Sequence, residues 1–184
     1  MKQIESYKLF DPANLTSGVP VEAPGNYIFL LRPDVMLPTD TIKEQPEFTT
    51  LKYCGTEYRV LYTGVTKDSL YKRVFKIHLT GNNAGKSTLR KSLGCLWGYA
   101  FVPRDKKPDS TKTKFAEGDE ANITAWMKEN LLVLYVANLN YEADEQELIN
   151  TFNPPLNLQH NRNSVNYSYR EQLSRLRARK IGEK

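Results

Sequence analysis

Along the chain, apolar residues gather in three short runs that read as strands and in several segments that repeat at helical spacing. Asn26–Arg32 (NYIFLLR) follows Pro24-Gly25, and Tyr58–Gly64 (YRVLYTG) is rich in β-formers and closed by glycine. Leu131–Ala137 (LLVLYVA) is apolar throughout, the pattern of a strand buried on both faces. Helical spacing runs over Leu70–Leu79 behind a cap at Asp68 or Ser69. It returns behind Ser87 or Thr88, where Leu89, Leu93 and Leu96 share a face. Thr124–Glu129 reads as a short helix. Asn140 caps a helix over Tyr141–Phe152 that Pro154-Pro155 stops, and a last helix is predicted from Ser168 to about Lys180, with Tyr169, Leu173 and Leu176 on one side. Pro33–Thr56 reads as a long irregular connection and Pro103–Gly118 as a charged surface loop; a connection as long as the first is uncommon unless functional or loose. Strands and helices intermix without an internal repeat, which predicts a small α/β or α+β domain.

Two charged residues interrupt these stripes. Arg73 lies among Leu70, Val74 and Ile77, and Glu145 lies three and four residues before Leu148 and Ile149. A charge turned inward is costly unless paired. The pattern therefore predicts either an internal Arg73–Glu145 ion pair or a site where the arginine holds a phosphate and the carboxylate a metal ion. Glu145 also suits the first helical turn, beside Glu142 and Asp144.

Composition narrows the class. A chain of 184 residues with 40% hydrophobic and 11% aromatic content can bury a core of its own, and one domain over residues 1–184 is expected. The longest apolar runs are too short to span a bilayer, and MKQIESYKLFDP lacks the features of a secretory signal. Cys54 and Cys95 cannot make a disulfide framework or a four-ligand zinc site, so free thiols in a reducing cytoplasm are expected. The net charge of +5 is concentrated beyond Gln159, in Arg162, Arg170, Arg175, Arg177, Arg179, Lys180 and Lys184, and the rest of the chain is neutral. A neutral body with a basic end suggests contact with a polyanion, or a solvated helix.

Residues 79–88, LTGNNAGKST, invite a phosphate-loop reading. That loop needs four residues between its first glycine and Gly-Lys-Ser, whereas only Asn82, Asn83 and Ala84 separate Gly81 from Gly85. The preceding RVFKIHL has helical spacing, not the strand from which such a loop departs, and no aspartate closes Leu131–Ala137. Nucleotide hydrolysis is thus a remote alternative. Lys86, Ser87 and Arg90, opening a helix, are expected to meet a phosphate of another kind.

Together these features resemble the GIY-YIG nuclease family. Gly25-Asn26-Tyr27 occupies the first motif and Tyr62-Thr63-Gly64 the second. Arg73 follows nine residues later in a helix, and Glu145 precedes Leu148-Ile149 and a Pro154-Pro155-Leu156-Asn157 ending. Three departures stand out: Asn26 where an aliphatic side chain is usual, the long Pro33–Thr56 insertion, and a long segment between Leu79 and Leu131. The last two suggest substrate loops. The resemblance covers about residues 24–158, leaving 159–184 as a basic helical extension. It implies a three-stranded antiparallel sheet flanked by helices, and hydrolysis of DNA phosphodiesters with one divalent ion, normally Mg2+, or Mn2+. Glu145 would be the metal ligand and Arg73 would stabilise developing negative charge. Tyr27 and Tyr62 would lie near the attacking water, one as general base if positive charge from Arg73 and the metal lowers its phenol. His78 would assist proton transfer, and Asn157 would hold the site together. Lys86, Ser87, Arg90, Arg170, Arg175, Arg177 and Arg179 would contact the backbone of DNA, from which composition does not distinguish RNA. The alternative from another class is a non-catalytic nucleic-acid-binding module on the same fold.

Overall fold

The structure, a computed structural model, describes residues 4–105 and 111–183. Its strands are β1 (Lys8–Phe10), β2 (Gly25–Leu31), β3 (Thr50–Tyr53), β4 (Thr56–Thr66), β5 (Phe101–Pro103), β6 (Thr113–Phe115) and β7 (Leu131–Ala137). The α-helices are α1 (Thr88–Leu96), α2 (Glu117–Asn130), α3 (Tyr141–Phe152) and α4 (Tyr167–Ala178), and a π-helix spans Tyr71–Leu79.

The main sheet is antiparallel, with strand order β1-β7-β2-β4-β3. The expected sheet of three strands is therefore corrected to five. The inner three, β7, β2 and β4, are the three apolar runs, and β2 is buried along its whole length. The two additions are edge strands of three and four residues, too short to show a hydrophobic period. β3 lies inside the expected irregular connection and turns into β4 through Cys54 and Gly55, both at positive φ (47° and 83°), as a tight two-residue hairpin requires. β5, which ends where the expected surface loop begins, and β6, within that loop, form a separate hairpin, and 106–110 lie outside the described residues.

Alternate side chains feed two cores. Tyr27, Phe29, Leu31, Val133 and Tyr135 face the larger one, covered by the π-helix, α1, α2 and α4. Ile28, Leu30, Val60, Leu132 and Leu134 face the smaller one, closed by Tyr7 and by Leu148 and Phe152 of α3. β4 changes parity midway. Leu30 pairs with Val60 but Phe29 pairs with Tyr62, so Leu61 is an extra, bulged residue. The bulge sends Tyr62 to the face of Tyr27; in regular pairing it would share the face of Val60.

Helix bounds follow the predicted caps in part. Ser87 caps α1, accepting from the Arg90 amide at 3.1 Å, and Ser69 Oγ accepts from the Lys72 amide at 2.9 Å. Asn140 stands at the start of α3 but makes no side-chain capping bond. The short helix expected over Thr124–Glu129 is the end of the longer α2, whose first turn carries Glu117, Asp119 and Glu120.

Two segments expected to be peripheral are tied to the body. In the β2–β3 connection, Leu37 and Ile42 enter the larger core, and Thr41 Oγ1 donates to the Cys95 and Leu96 carbonyls closing α1 (3.0 and 3.1 Å). Asn166, just before α4, clasps the backbone of Glu47 with bonds of 2.8 and 2.7 Å. Tyr169 and Leu173 of α4 complete the same core. At its base lies a fully buried ion pair between Arg90 and Glu120, at 2.8 Å. Arg90 also donates to the His78 carbonyl and Thr124 Oγ1, and Glu120 accepts the Ala84 and Phe115 amides. With its hydrogen bonds so satisfied, a buried pair is tolerated.

Candidate active site

The motif glycines are there because other atoms need their space. A Cβ on Gly25 would sit 2.0 Å from the Val136 carbonyl oxygen, and one on Gly64 would sit 2.4 Å from the Tyr27 hydroxyl. Tyr27 and Gly64 are register partners, so the Tyr27 ring lies across the glycine. The bulge at Leu61 then brings the Tyr62 ring to 6.4 Å from that of Tyr27.

The π-helix supplies the next two groups. Its hydrogen bonds span five residues, as between the Thr80 amide and the Phe75 carbonyl (2.9 Å). Arg73 and His78, five apart, therefore stand one turn above each other and both reach Tyr27. Read as an α-helix, the sequence placed Ile77 inside; in the structure Val74, His78 and Leu79 are buried.

These residues form one hydrogen-bonded chain. Arg73 Nε donates to the Tyr27 hydroxyl at 3.3 Å, and Arg73 Nη1 donates to the Lys86 carbonyl at 3.1 Å. The Tyr27 hydroxyl lies 2.9 Å from His78 Nε2, and His78 Nδ1 lies 2.7 Å from Ser87 Oγ. Tyr62 bonds Thr88 Oγ1 at 3.0 Å. Burial drives His78 well below the usual imidazole range, with Arg73 and Arg90 adding to it, so the ring is neutral at physiological pH. Burial pushes both phenols up, Tyr27 far up, and Arg73 offsets this only in part. The expectation of a phenol lowered by neighbouring positive charge is not what the protein groups produce: desolvation outweighs Arg73, and both tyrosines stay protonated.

Tyr27, Tyr62, Arg73, Glu145, Asn157 and Arg177 line one polar cleft of about 220 Å³. No ion pair joins Arg73 to Glu145 among the described residues; the internal ion pair is Arg90–Glu120. Glu145 is half-buried, and desolvation raises its carboxyl, opposed by His160 and Arg73. Among the described residues no three His, Cys, Asp or Glu side chains converge as a metal cage. A single hard carboxylate facing a polar cleft fits Mg2+, which keeps waters and takes one or two carboxylates with substrate oxygens, better than it fits zinc.

Asn157 explains how the cleft edge is held. β3 covers β4 only as far as Arg59, leaving later backbone groups of β4 without a neighbouring strand. The Asn157 side chain takes that place, accepting from the Thr63 amide (2.9 Å) and donating to its carbonyl (3.0 Å). Asn26 has a parallel role that sequence reasoning missed. Fully buried, its amide donates to the Tyr141 carbonyl at 2.8 Å and accepts from Asn138 at 2.6 Å, fastening the start of the Glu145 helix to β2. A polar residue at the usually aliphatic motif position was the available signal. His160, at positive φ beside Glu145 in the cleft, had none.

The expected backbone contacts divide. Lys86 is exposed and Arg177 lines the cleft. Arg175 is exposed and pairs with Glu171 at 2.9 Å. Arg90 and Ser87 face inward, consumed by Glu120 and by His78. Arg170 is buried on Asn153 and the Val165 and Asn163 carbonyls, and Arg179 Nε turns back onto the Leu176 carbonyl. The nucleotide-hydrolase alternative fails on architecture, because a π-helix precedes the loop and Gly85 packs against the Thr113 carbonyl.

Compared with known proteins, the chain matches the model of the GIY-YIG catalytic domain over residues 25–179. No curated protein and no solved structure matches it. That match takes in both tyrosine motifs, Arg73, Glu145, Asn157 and all of α4, and the chain belongs to the GIY-YIG catalytic-domain family, whose members are nucleases.

Proposed function

We propose that the protein is an endonuclease that hydrolyses DNA phosphodiesters with Mg2+ or Mn2+, of restriction, repair or mobile-element type. The observation that carries this reading is the convergence of Tyr27, Tyr62, Arg73 and Glu145, from four separate elements, on one cleft. Glu145 would hold the metal ion, which supplies Lewis-acid stabilisation of the phosphate oxygens when bound.

The protein's own groups do the rest. Arg73, tethered through Nε and Nη1, presents fixed positive charge to the scissile phosphate without reorganising. Neutral His78 accepts a proton at Nε2 from the Tyr27 hydroxyl as that hydroxyl takes one from the attacking water. Ser87 Oγ holds the opposite ring nitrogen, accepting from Nδ1–H, which selects the tautomer this relay needs. Tyr62 orients the water, and Lys86, Arg175 and Arg177 hold flanking phosphates. Mapping cleavage on linear, branched, modified and single-stranded DNA, with RNA alongside, tests the substrate. Cleavage of DNA is expected; cleavage confined to RNA, or none with any divalent ion, rejects it.

A further inference from the structure

The catalytic cleft does not end at α4. Thr88 and Arg177 line it on one side and line a second groove on the other, between the 84–88 turn, the β5–β6 hairpin and α4. Lys86, Lys91, Arg104 and Lys112 complete the basic lining, and no carboxylate lines the groove among the described residues.

The groove is assembled by close packing. The absence of a side chain at Gly85 lets the turn approach the hairpin, since a Cβ there would meet the Thr113 carbonyl oxygen at 2.4 Å. Arg104 Nη1 donates to the Gly85 carbonyl at 3.1 Å, and its backbone amide to the Lys112 carbonyl at 2.9 Å. Lys91 is held over the Phe101 ring, 4.7 Å from its centroid. Arg177 is half-buried and makes no hydrogen bond or ion pair with a described residue. Burial lowers both Lys91 and Arg177, and Arg177 pushes Lys91 down further. Lys91 and Arg177, crowded on a concave surface with no carboxylate among its described lining residues, are stabilised by an anion.

We propose that this groove is a second phosphate site, carrying the DNA strand next to the scissile bond away from the cleft, with Arg177 at the junction. The inference rests on the nuclease reading above. It also gives a role to the hairpin inserted between α1 and α2, which the chemistry does not use.

The test is a titration of the full chain against a short labelled DNA duplex in metal-free buffer, from about 50 to about 200 mM salt. Removing two phosphate contacts with Lys91→Gln plus Arg104→Gln lowers the slope of log K against log salt by about 1.8, and Lys112→Gln, at an exposed position, lowers it by about 0.9. A parent slope retained by both variants overturns the groove while leaving the nuclease reading intact. If the double variant loses its thermal transition, the Lys112→Gln slope alone decides. A parent chain that does not bind DNA at the lowest salt overturns both.

Discussion

At the scale of single residues, the decisive effect is desolvation. It holds Tyr27 and Tyr62 protonated and His78 neutral, so the histidine is the group able to accept a proton at neutral pH. His78→Gln is expected to lower kcat by about 10²–10⁴-fold with little change in DNA affinity. The acid limb of the wild-type rate profile should lie below pH about 6.5, the ordinary histidine value, because the folded ring titrates lower. The same shift has a stability sign. Below about 6.5 the unfolded chain binds a proton that the folded ring refuses, so His78's contribution is complete above that pH and is lost as pH falls. Denaturant titrations at pH 7.5 and 5.5 should show a smaller pH loss in His78→Gln than in wild type. An equal loss would mean that the ring is not desolvated.

At the scale of elements, the site is built by irregularities. The bulge at Leu61 re-aims Tyr62, the five-residue turn of the π-helix stacks Arg73 over His78, and Asn157 stands in for a missing strand beside Thr63. Asn157→Ala should leave both Thr63 backbone groups unpaired and cost about 1–3 kcal/mol, measured by chemical unfolding. Asn26→Leu should similarly loosen the start of α3; a higher Mg2+ concentration for half-maximal cleavage at unchanged DNA affinity would show it. These irregularities mark the limit of sequence reading. β2, β4 and β7 were legible because their apolar runs are set by burial. β1 and β3, exposed at the edges and short, carry no such signal. Arg73 and Glu145 stood out because each broke a stripe, whereas the π-helical spacing that buries His78 one turn from Arg73 left no signal in the sequence.

At the scale of the molecule, charge counts proved a poor guide to charge placement. Arg170 and Arg90 sit inside, satisfied by polar partners, so the basic tail is partly a structural brace. Arg90 joins the end of the π-helix, α1, α2 and the phosphate-loop-like turn through Glu120 and the His78 carbonyl. Glu120→Ala should cost about 3–5 kcal/mol, because it strands a buried guanidinium, and the thermal midpoint should fall accordingly. The inserted β2–β3 connection, expected to be a substrate loop, instead packs on α1 and clasps the start of α4. It belongs to the scaffold that holds α4, and with it Arg177, against the cleft.

The most direct measurement is nicking of supercoiled plasmid in Mg2+ by the wild-type chain beside Glu145→Ala and Arg73→Ala, each first shown to retain the wild-type thermal transition. The account predicts nicking by wild type, none with EDTA, and loss of at least about a hundredfold in rate for either variant. Nicking by Glu145→Ala at the wild-type rate would contradict it.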